Sequence, residues 1–230
     1  MSRKIVILLG HPGAGKGTQS RAIMTQLSIP QISTGDMLRD AVTRQTSFGK
    51  EAKERMDMGE LVSDEIVNGI VAERIRREDC AAGFILDGYP RNVPQAETFH
   101  HELKTGDRLS VIEIRAETAN LVNRLVGRLM CPGCGEIYNI YSRTPQSEKV
   151  CDRCGRQLIH RSDDREDLIH ERFKTYDGET FPVVSFCKGQ GAYYQVDGMR
   201  PIGEVTREIL AIVTAESAAR AVDGGNQKFA

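Results

Sequence analysis

A glycine-rich stretch near the N-terminus constrains the fold of this chain more than any other feature. It reads Gly10-His11-Pro12-Gly13-Ala14-Gly15-Lys16-Gly17-Thr18 and directly follows the apolar run 5–9. Such a run bounded by glycine is typical of a parallel strand buried on both faces, and residues 16–27 after it are predicted to form a helix. In that setting backbone N–H groups converge on a phosphate, and the helix N-terminus adds its positive end. The stretch therefore predicts a phosphate-binding loop whose Lys16 reaches the outer phosphates.

The loop departs at one position from the general pattern GxxxxGK[ST]. That pattern places a hydroxyl directly after the lysine, whereas here Gly17 intervenes and Thr18 follows it. This departure reduces the number of phosphate-binding families to which the chain can belong. The alternative, a glycine-rich connection without a ligand, is disfavoured because three spaced glycines and a lysine seldom coincide by chance.

Further apolar runs alternate with segments of helical spacing along the chain. The runs are 84–86, 109–114 and 192–196, and the helical segments are 64–77, 116–125 and 202–215. Strands that alternate with helices indicate an α/β fold with three layers around a parallel sheet. Two segments interrupt the alternation: 33–62, which is largely helical, and 127–164, which is mostly polar. The second segment has too few apolar residues to build much of a core unaided.

Composition restricts the class of protein. With 230 residues, 31 basic and 32 acidic side chains, the chain has the length of one large domain or of a core with insertions, and its net charge of -1 favours neither nucleic acid nor an anionic membrane as a partner. The longest stretch without charged residues, 22–35, is shorter than the ~20 apolar residues of a membrane span. The apolar run 5–9 is too short for a signal peptide. We therefore expect a soluble protein of the cytoplasm.

Four of the six cysteines fall in two CxxC pairs with 16 residues between the pairs. The cysteines are Cys131, Cys134, Cys151 and Cys154. This spacing matches a four-thiolate metal site built from two tight turns, and Gly135 and Gly155 follow the second cysteine of each pair, where such turns need them. Tetrahedral zinc is the predicted occupant. Iron in the same cage and a pair of disulfides are the alternatives.

A site with four thiolate ligands leaves no open position for a substrate. We therefore expect its metal to be structural, standing in for the core that residues 127–164 lack. Cys80 and Cys187 show no partner pattern and are expected to be core or surface thiols.

The apolar run 84–86 ends in a carboxylate, Asp87, which is followed by Gly88-Tyr89-Pro90-Arg91. In a parallel sheet the carboxyl ends of the strands face the ligand crevice, so Asp87 is placed to hold Mg²⁺ through water and Arg91 to meet a phosphate. A strand that ends in an aspartate capping the next turn is also common. The phosphate loop favours the functional interpretation of this pair.

Several arginines lie where a phosphate-transfer site would use them, although each is also typical of a solvated helix face. They are Arg39, Arg91, Arg124, Arg128, Arg161 and Arg172. The histidines show no ligand spacing, and no nucleophilic triad or pair of acid and base carboxylates stands out. This absence is consistent with phosphoryl transfer, in which positioning and charge neutralisation matter more than covalent chemistry.

Taken together, these motifs resemble those of the adenylate kinases, in particular the bacterial type with a long, zinc-bearing lid. The resemblance covers about residues 4–213 and rests on the paired cysteines and on three stretches that occur in the family's order and spacing. The stretches are 13–19 (GAGKGTQ), 32–39 (ISTGDMLR) and 86–91 (LDGYPR). It implies a P-loop kinase core over 1–32, 63–126 and 165–217, a domain for the nucleoside monophosphate over 33–62, a lid over 127–164 and a tail over 218–230.

The resemblance also implies a role for each matching residue. AMP would be bound by Thr34, Arg39, Glu60, Leu61, Val62, Gly88, Tyr89, Pro90, Arg91, Gln95, Arg161 and Arg172. ATP would be bound by Gly13, Ala14, Gly15, Lys16, Gly17, Thr18, Arg124, Ile137, Tyr138 and Arg200. The transferred phosphoryl group would be surrounded by Lys16, Arg39, Arg91, Arg128, Arg161 and Arg172. Asp163-Asp164 matches an acidic pair at the hinge of the lid.

The implied activity is the reversible transfer of a phosphoryl group from MgATP to AMP, which gives two ADP. Zinc would be structural in the lid, Mg²⁺ would accompany ATP, and the partners would be ATP, AMP and ADP, bound by a cytoplasmic monomer with no nucleic-acid or membrane partner. Another nucleoside monophosphate kinase, for example a GTP:AMP phosphotransferase, is the alternative in the same class. The long lid argues against the pyrimidine kinases, and Gln95 and Thr34 favour an adenine acceptor. A module whose zinc turns grip nucleic acid is disfavoured by the net charge and the phosphate loop.

Overall fold

The computed structural model describes residues 2–188 and 193–215. In chain order its strands are β1 (Lys4–Leu9), β2 (Gln31–Ser33), β3 (Gly83–Asp87), β4 (Arg108–Arg115), β5 (Arg128–Met130), β6 (Ile137–Asn139) and β7 (Tyr193–Asp197). Its α-helices are α1 (Lys16–Leu27), α2 (Thr34–Thr43), α3 (Ser47–Asp57), α4 (Asp64–Ile75), α5 (Val93–His101), α6 (Thr118–Val126), α7 (Glu166–Thr175), α8 (Phe181–Lys188) and α9 (Ile202–Ala215). Short 3₁₀ turns cover Glu78–Cys80 and Ser162–Asp164, and a π-helical turn covers Tyr176–Thr180.

Five of the strands form one sheet in the order β2-β3-β1-β4-β7, with parallel pairing throughout. The centre of the sheet is β1, whose residues from Ile5 to Leu9 are all buried. Ile5, Ile7 and Leu9 face one apolar cluster, while Val6 and Leu8 face another. Because each fully buried aliphatic side chain contributes about 1.5–3 kcal/mol, a strand with two apolar faces is stable only with a helical layer on each side. The predicted three-layer α/β fold is confirmed.

The elements predicted from periodicity lie where they were expected, with shifts of one or two residues at their ends. Helices α1 and α9 have the predicted bounds, and α4 ends at Ile75 instead of at 77. The last strand is described from Tyr193 to Asp197, so position 192 of the predicted run lies outside the described residues, as does the tail over 218–230. The sequence analysis placed no element in 166–188, where the structure has α7, the π-helical turn and α8.

The two segments that interrupt the alternation differ in how they are packed. Helices α2 and α3 contribute Leu38 and Ala52 to the larger core cluster. In the second segment β5 pairs antiparallel with β6, and a small separate cluster holds Leu129, Tyr138 and Leu158 together with Cys131 and Cys151. The small size of this cluster reflects the scarcity of apolar residues in the segment. The bounds of the three predicted domains stay a prediction.

Across the described part of the chain, no helix combines the length and the apolar character that crossing a membrane requires.

Candidate active site

A cleft of about 700 Å³ opens at the carboxyl ends of the parallel strands. The turn after β1 supplies the glycine-rich loop, α2 begins directly after β2 with Thr34, and β3 ends at Asp87, with Arg91 in the turn that follows. Strand ends meet at this edge because all the strands of the sheet run in the same direction. The fold therefore brings together three motifs that lie up to about eighty residues apart in the sequence.

The glycine-rich loop wraps around the ammonium group of Lys16. Lys16 Nζ donates hydrogen bonds to the carbonyl oxygens of Gly10 and His11, at 2.5 and 2.9 Å. Gly13 and Gly15 have φ angles of +84° and +106°, which residues other than glycine rarely adopt. No side chain caps the start of α1, so the N–H groups of its first turn stay available to an anion.

The surroundings of Lys16 disfavour its positive charge. Its pKa is lowered to about 7, mainly by burial and also by the positive charges of Arg91, Arg172 and Arg128, while Asp87 opposes the shift. A buried cation among other cations is disfavoured until an anion arrives to compensate it. The loop is thus prepared for a strongly negative ligand.

Gly17, the departure noted in the sequence, faces the segment 127–164. A side chain at Gly17 would begin 3.2 Å from Ile137 Cδ1 and 3.4 Å from Asp87 Oδ2. Asp87 Oδ2 itself accepts a hydrogen bond from Gln31 Nε2 at 3.0 Å. The glycine therefore leaves room for β6 to approach the phosphate loop, a reason that only the structure reveals.

The opposite side of the cleft is organised around the carbonyl oxygen of Gly88. It accepts hydrogen bonds from Thr34 Oγ1 at 2.7 Å and from Arg91 Nε at 2.8 Å. Gln95 Oε1 accepts the backbone N–H of Arg91 at 2.8 Å, and Gln95 Nε2 donates to Asp64 Oδ1 at 2.7 Å. These bonds fix the direction of Arg91 while leaving its terminal nitrogens toward the cleft.

Tyr89 was expected among the residues that bind AMP, and the structure instead places its side chain in the core. It is 1% exposed, packs edge-on against Phe99, and donates a hydrogen bond from its hydroxyl to Asn68 Oδ1 at 2.7 Å. Its neighbours Gly88, Pro90 and Arg91 line the cleft and Tyr89 does not. The reason is that consecutive residues of this turn point in different directions, and the aromatic ring takes the apolar side.

Arginines from four separate segments meet between the two sides of the cleft, where three carboxylates hold them. Arg39 Nη2 and Arg161 Nη2 both donate to Asp36 Oδ1, at 2.6 and 3.2 Å. Arg128 binds Asp164 with two hydrogen bonds of 2.7 and 2.5 Å. Arg172 Nη1 lies 3.2 Å from an oxygen of Asp163 and 3.1 Å from one of Asp164. The acidic pair expected at a hinge therefore anchors arginines of β5 and α7.

The electrostatics of this cluster leave it with an excess of positive charge. Burial lowers the pKa of Arg91 to about 10, helped by Arg172 and Arg39, and lowers that of Arg161 to about 9, helped by Arg128. Although burial works against the ionisation of Asp163, the nearby Arg172, Arg39, Arg128 and Arg161 lower its pKa to about 2. A ligand with several negative charges would relieve the mutual repulsion of the cations.

The residues expected at the nucleotide donor lie beyond the phosphate loop. Arg124 Nη1 donates to the carbonyl of Gly198 at 3.1 Å, and its own carbonyl accepts Asn139 Nδ2 at 2.9 Å. Ile137 and Tyr138 line the cleft from β6, as do Arg124 and Arg200 from the core. The side chain of Arg200 is directed to Glu204 and Glu208 on α9, which leaves its backbone for the cleft.

Every site residue expected from the resemblance except Tyr89 lines this cleft or, in the case of the four cysteines, the segment above it. Sequence reasoning missed other lining residues, among them Asp36, Asn139, Tyr141 and Thr180. Asp36 lies inside the stretch 32–39, and its spacing of three residues from Arg39 was a signal that could have identified it. The others carry no local pattern, because they reach the cleft through the packing of distant segments.

The four paired cysteines converge as the spacing predicts. Their sulfur atoms all lie within 4.8 Å of one another, with Cys131 Sγ 3.3 Å from Cys154 Sγ and Cys134 Sγ 3.5 Å from Cys151 Sγ. None of the four forms a disulfide. Zn–S bonds of about 2.3 Å in a tetrahedron separate the sulfurs by about 3.8 Å, so the donor set fits zinc.

The two CxxC turns have the same backbone design. The N–H of Gly135 donates to the carbonyl of Cys131 at 2.9 Å, and that of Gly155 donates to Cys151 at 2.8 Å. Their φ angles, +69° and +71°, lie in the left-handed region. The expected role of these glycines is confirmed. Cys80 and Cys187, which had no partner pattern, are both buried.

Comparison with known proteins gives a consistent result. A family model described as adenylate kinase matches residues 8–192. The adenylate kinase of Rhizobium rhizogenes is 49% identical over 212 residues, covering 91% of this chain and 98% of that protein. That of Archaeoglobus fulgidus is 45% identical over 210 residues, covering 90% and 97%, and that of Caldanaerobacter subterraneus is 46% identical over 206 residues, covering 89% and 93%.

Proposed function

The chain belongs to the adenylate kinase family, and we propose that its cleft binds ATP beside the phosphate loop and AMP beside Thr34 and Gln95. It is an ATP:AMP phosphotransferase, which transfers the γ-phosphoryl group of MgATP to AMP and forms two ADP. The observation that carries the assignment of sites is the convergence of Lys16 and Arg91 on one cleft, which the phosphate loop lines on one side and Thr34 and Gln95 line on the other.

On the ATP side, the phosphate loop binds the β- and γ-phosphates through the free N–H groups at the start of α1 and through Lys16. Ile137 and Tyr138 cover the nucleotide from β6, while Arg124 and the backbone at Arg200 border the base. The hydrogen bonds from Asn139 to Arg124 and from Arg124 to Gly198 support this arrangement, since they tie β6 to the core beside the base.

On the AMP side, the phosphate of AMP lies between Arg39 and Arg91, and the adenine lies toward Thr34 and Gln95. Leu61 and Val62 provide an apolar wall, and both line the cleft. Gln95 is buried and already donates to Asp64, which orients its amide. A fixed amide is suited to reading the hydrogen-bonding edge of a base.

The chemical step needs little from the protein beyond position and charge. The acceptor phosphate is anionic at neutral pH, so no strong general base is required. Lys16, Arg91, Arg128 and Arg172 surround the transferred group and offset the charge that spreads over its oxygens. Their desolvated positions strengthen this effect, and exclusion of water prevents hydrolysis.

The carboxylate suited to Mg²⁺ is Asp87, at the end of β3. It lies in the cleft, and its Oδ2 is held by Gln31. When bound with ATP, Mg²⁺ supplies positive charge to the β- and γ-phosphates. We propose that Asp87 contacts it through water.

We further propose that residues 127–164 are a lid over ATP, that 33–62 close over AMP, and that the lid is held together by zinc. The contact of Arg161 with Asp36, and of Arg39 with Asp163, joins the two segments across the cleft. These contacts support a role for both segments in enclosing the substrates. The proposed molecule is a cytoplasmic monomer that takes ATP, AMP and ADP, with neither nucleic acid nor membrane as a partner.

The first prediction concerns the metal. We expect one zinc per chain by elemental analysis, and its loss in Cys131→Ser/Cys134→Ser. Because the lid cluster has only Leu129, Tyr138 and Leu158 besides its cysteines, the free energy of zinc binding is folding free energy for this segment. The melting temperature should fall, while adenylate kinase activity and its Mg²⁺ requirement persist at low temperature.

The matched control is Cys80→Ser/Cys187→Ser, which also removes two thiols but leaves the four ligands intact. It should retain zinc. A metal-free double variant with unchanged melting temperature would contradict a structural role for the metal. A folded but inactive one would place the metal in the chemistry.

The second prediction follows from the pKa of about 7 at Lys16, against about 10.4 for a free lysine. Bound phosphates favour the charged ammonium and raise this pKa again. ATP binding at pH 8 should therefore take up close to one proton. Calorimetric titration with a non-hydrolysable ATP analogue, in buffers of different ionisation enthalpy, measures the uptake as a slope.

The lowered pKa of Lys16 also makes the stability of the fold depend on pH. Between about pH 7 and pH 10 the unfolded chain holds a proton at this lysine that the empty folded site lacks, so stability of the empty protein should rise with pH in this window. In Lys16→Met the uptake at pH 8 should disappear at saturating analogue. A wild-type enthalpy independent of the buffer would contradict the assignment.

Substrate choice is tested by a coupled assay with ATP and each of AMP, GMP, UMP and CMP, and by replacing ATP with GTP. AMP should be the preferred acceptor and ATP the preferred donor. The curated relatives are named adenylate kinases, which disfavours a GTP:AMP phosphotransferase. Turnover that is faster with GTP than with ATP would reverse this conclusion.

A further inference from the structure

Arg21 makes a contact that neither the substrates nor the mechanism explains. It lies on α1, five residues after Lys16, and its Nη1 donates to the carbonyl oxygen of Cys134 at 3.1 Å. Within the described residues this is the hydrogen bond that the structure gives its side chain, and its Nε is buried without a partner. A cation of the core thus reaches the backbone of the first CxxC turn, although 113 positions separate the two residues.

The contact depends on the absence of a side chain at Gly135. A Cβ at this position would overlap the guanidinium of Arg21, which lies directly against the turn. Gly155, the equivalent residue of the second turn, has nearly the same φ angle but faces open space within 4 Å. The two turns therefore share their strain and their hydrogen bonding and differ in whether Arg21 lies against them.

The charges favour the same pairing. Four thiolates around one divalent cation carry a net negative charge, and the carbonyl oxygen of Cys134 adds the negative end of a dipole. A guanidinium is the side chain best suited to a partly buried contact of this kind. Arg21 thus offsets charge at the turn that would bind the metal.

The position of this turn sets the position of β6. The strand begins at Ile137, two residues after Gly135, and Ile137 lies against Gly17 of the phosphate loop. A displacement of the turn away from α1 would carry Ile137 and Tyr138 away from the ATP side of the cleft. The path from Arg21 to β6 is therefore short, because only two residues separate Cys134 from Ile137 along the chain.

We propose that Arg21 is a positioning residue that anchors the first CxxC turn to α1 and so holds β6 over bound ATP. The inference rests on the proposed placement of ATP beside the phosphate loop. It assigns the turn a second task besides metal binding: it presents the acceptor by which the lid attaches to the core.

The experiment compares Arg21→Ala, Arg21→Lys, Gly135→Ala and Gly155→Ala, with the affinities for ATP and AMP measured by calorimetry. The loss of a charge-assisted hydrogen bond is expected to weaken ATP binding roughly tenfold in Arg21→Ala. AMP affinity should be unchanged, and KM for ATP should rise without a fall in kcat. Arg21→Lys should recover only part of the loss, because an ammonium lacks the reach and fork of the guanidinium.

The glycine pair supplies the matched control. Gly135→Ala should weaken ATP binding as Arg21→Ala does, and the combined variant should be no weaker than either, because both remove the same contact. Gly155→Ala carries the same backbone strain and should bind ATP like the wild type. Zinc content and melting temperature are measured for each variant. If Gly135→Ala loses its metal, Arg21→Ala, which leaves the turn intact, decides the question.

Three results would overturn the proposal. Wild-type ATP affinity in Arg21→Ala would show that the contact does not hold the lid. Additive losses in the combined variant would mean that Arg21 acts on the nucleotide directly, and equal losses of ATP and AMP affinity would indicate a general structural defect. If the wild-type protein itself failed to bind ATP, the proposed function would be at fault instead.

Discussion

Arg91→Ala is expected to lower kcat/KM for AMP by about 10³-fold or more, the scale for an arginine that acts on a transferring phosphoryl group. Arg91 lies three residues past the end of β3, and its Nε is held by the carbonyl of Gly88. Its terminal nitrogens are thus presented to the cleft from a fixed direction. Removing it takes away charge compensation that no neighbouring water can replace in a desolvated site.

Stability should respond in the opposite way. Burial and the nearby Arg172 and Arg39 lower the pKa of Arg91 to about 10, so the charged form of Arg91 reduces the free energy of unfolding when no nucleotide is bound. The melting temperature of Arg91→Ala should therefore equal or exceed that of the wild type, as measured by calorimetry. The control is Arg76→Ala, which removes an arginine that is 68% exposed and paired with Glu102. A collapse of stability with normal turnover of the folded fraction would make Arg91 a structural residue.

Lys16→Met should reduce kcat by at least about 10²-fold, the magnitude for losing one preorganised donor to developing charge. Methionine fills a similar volume without the ammonium, and the glycine loop has its own backbone turns to maintain its shape. Folding should survive, because the free energy that the ammonium gains from its hydrogen bonds is offset by the cost of removing its charge from water. Steady-state kinetics and thermal unfolding measure the two effects separately.

The matched control for this change is Lys174→Met, at a lysine that is 73% exposed and bound to Glu171 on the same helix. Its turnover should match that of the wild type. Activity of Lys16→Met within a factor of about two of the wild type would remove Lys16 from the phosphate site, and it would weaken the placement of ATP as well.

Much of this protein is readable from short stretches of sequence. The apolar run before the glycine-rich loop predicted β1, and the loop itself predicted the position of Lys16 in the cleft. The two CxxC pairs predicted the four-sulfur cluster, and the glycines after them predicted the left-handed turns. The loop and each CxxC turn are decided within about ten residues, where backbone geometry and side-chain chemistry act locally and leave few alternatives, and the two CxxC pairs have only 16 residues between them.

Other features were decided only by tertiary structure, because they depend on which distant segments pack together. Tyr89 lies in a motif of the proposed substrate site, yet its ring is in the core, because the turn has an apolar side that must be buried. No pattern in residues 166–188 predicted α7, on which Arg172 meets the acidic pair at 163–164. Gly17 opposite Ile137 and Arg21 against Cys134 are contacts across more than a hundred positions. Which residues meet there depends on how the sheet and residues 127–164 pack together, and a local sequence pattern does not contain that information.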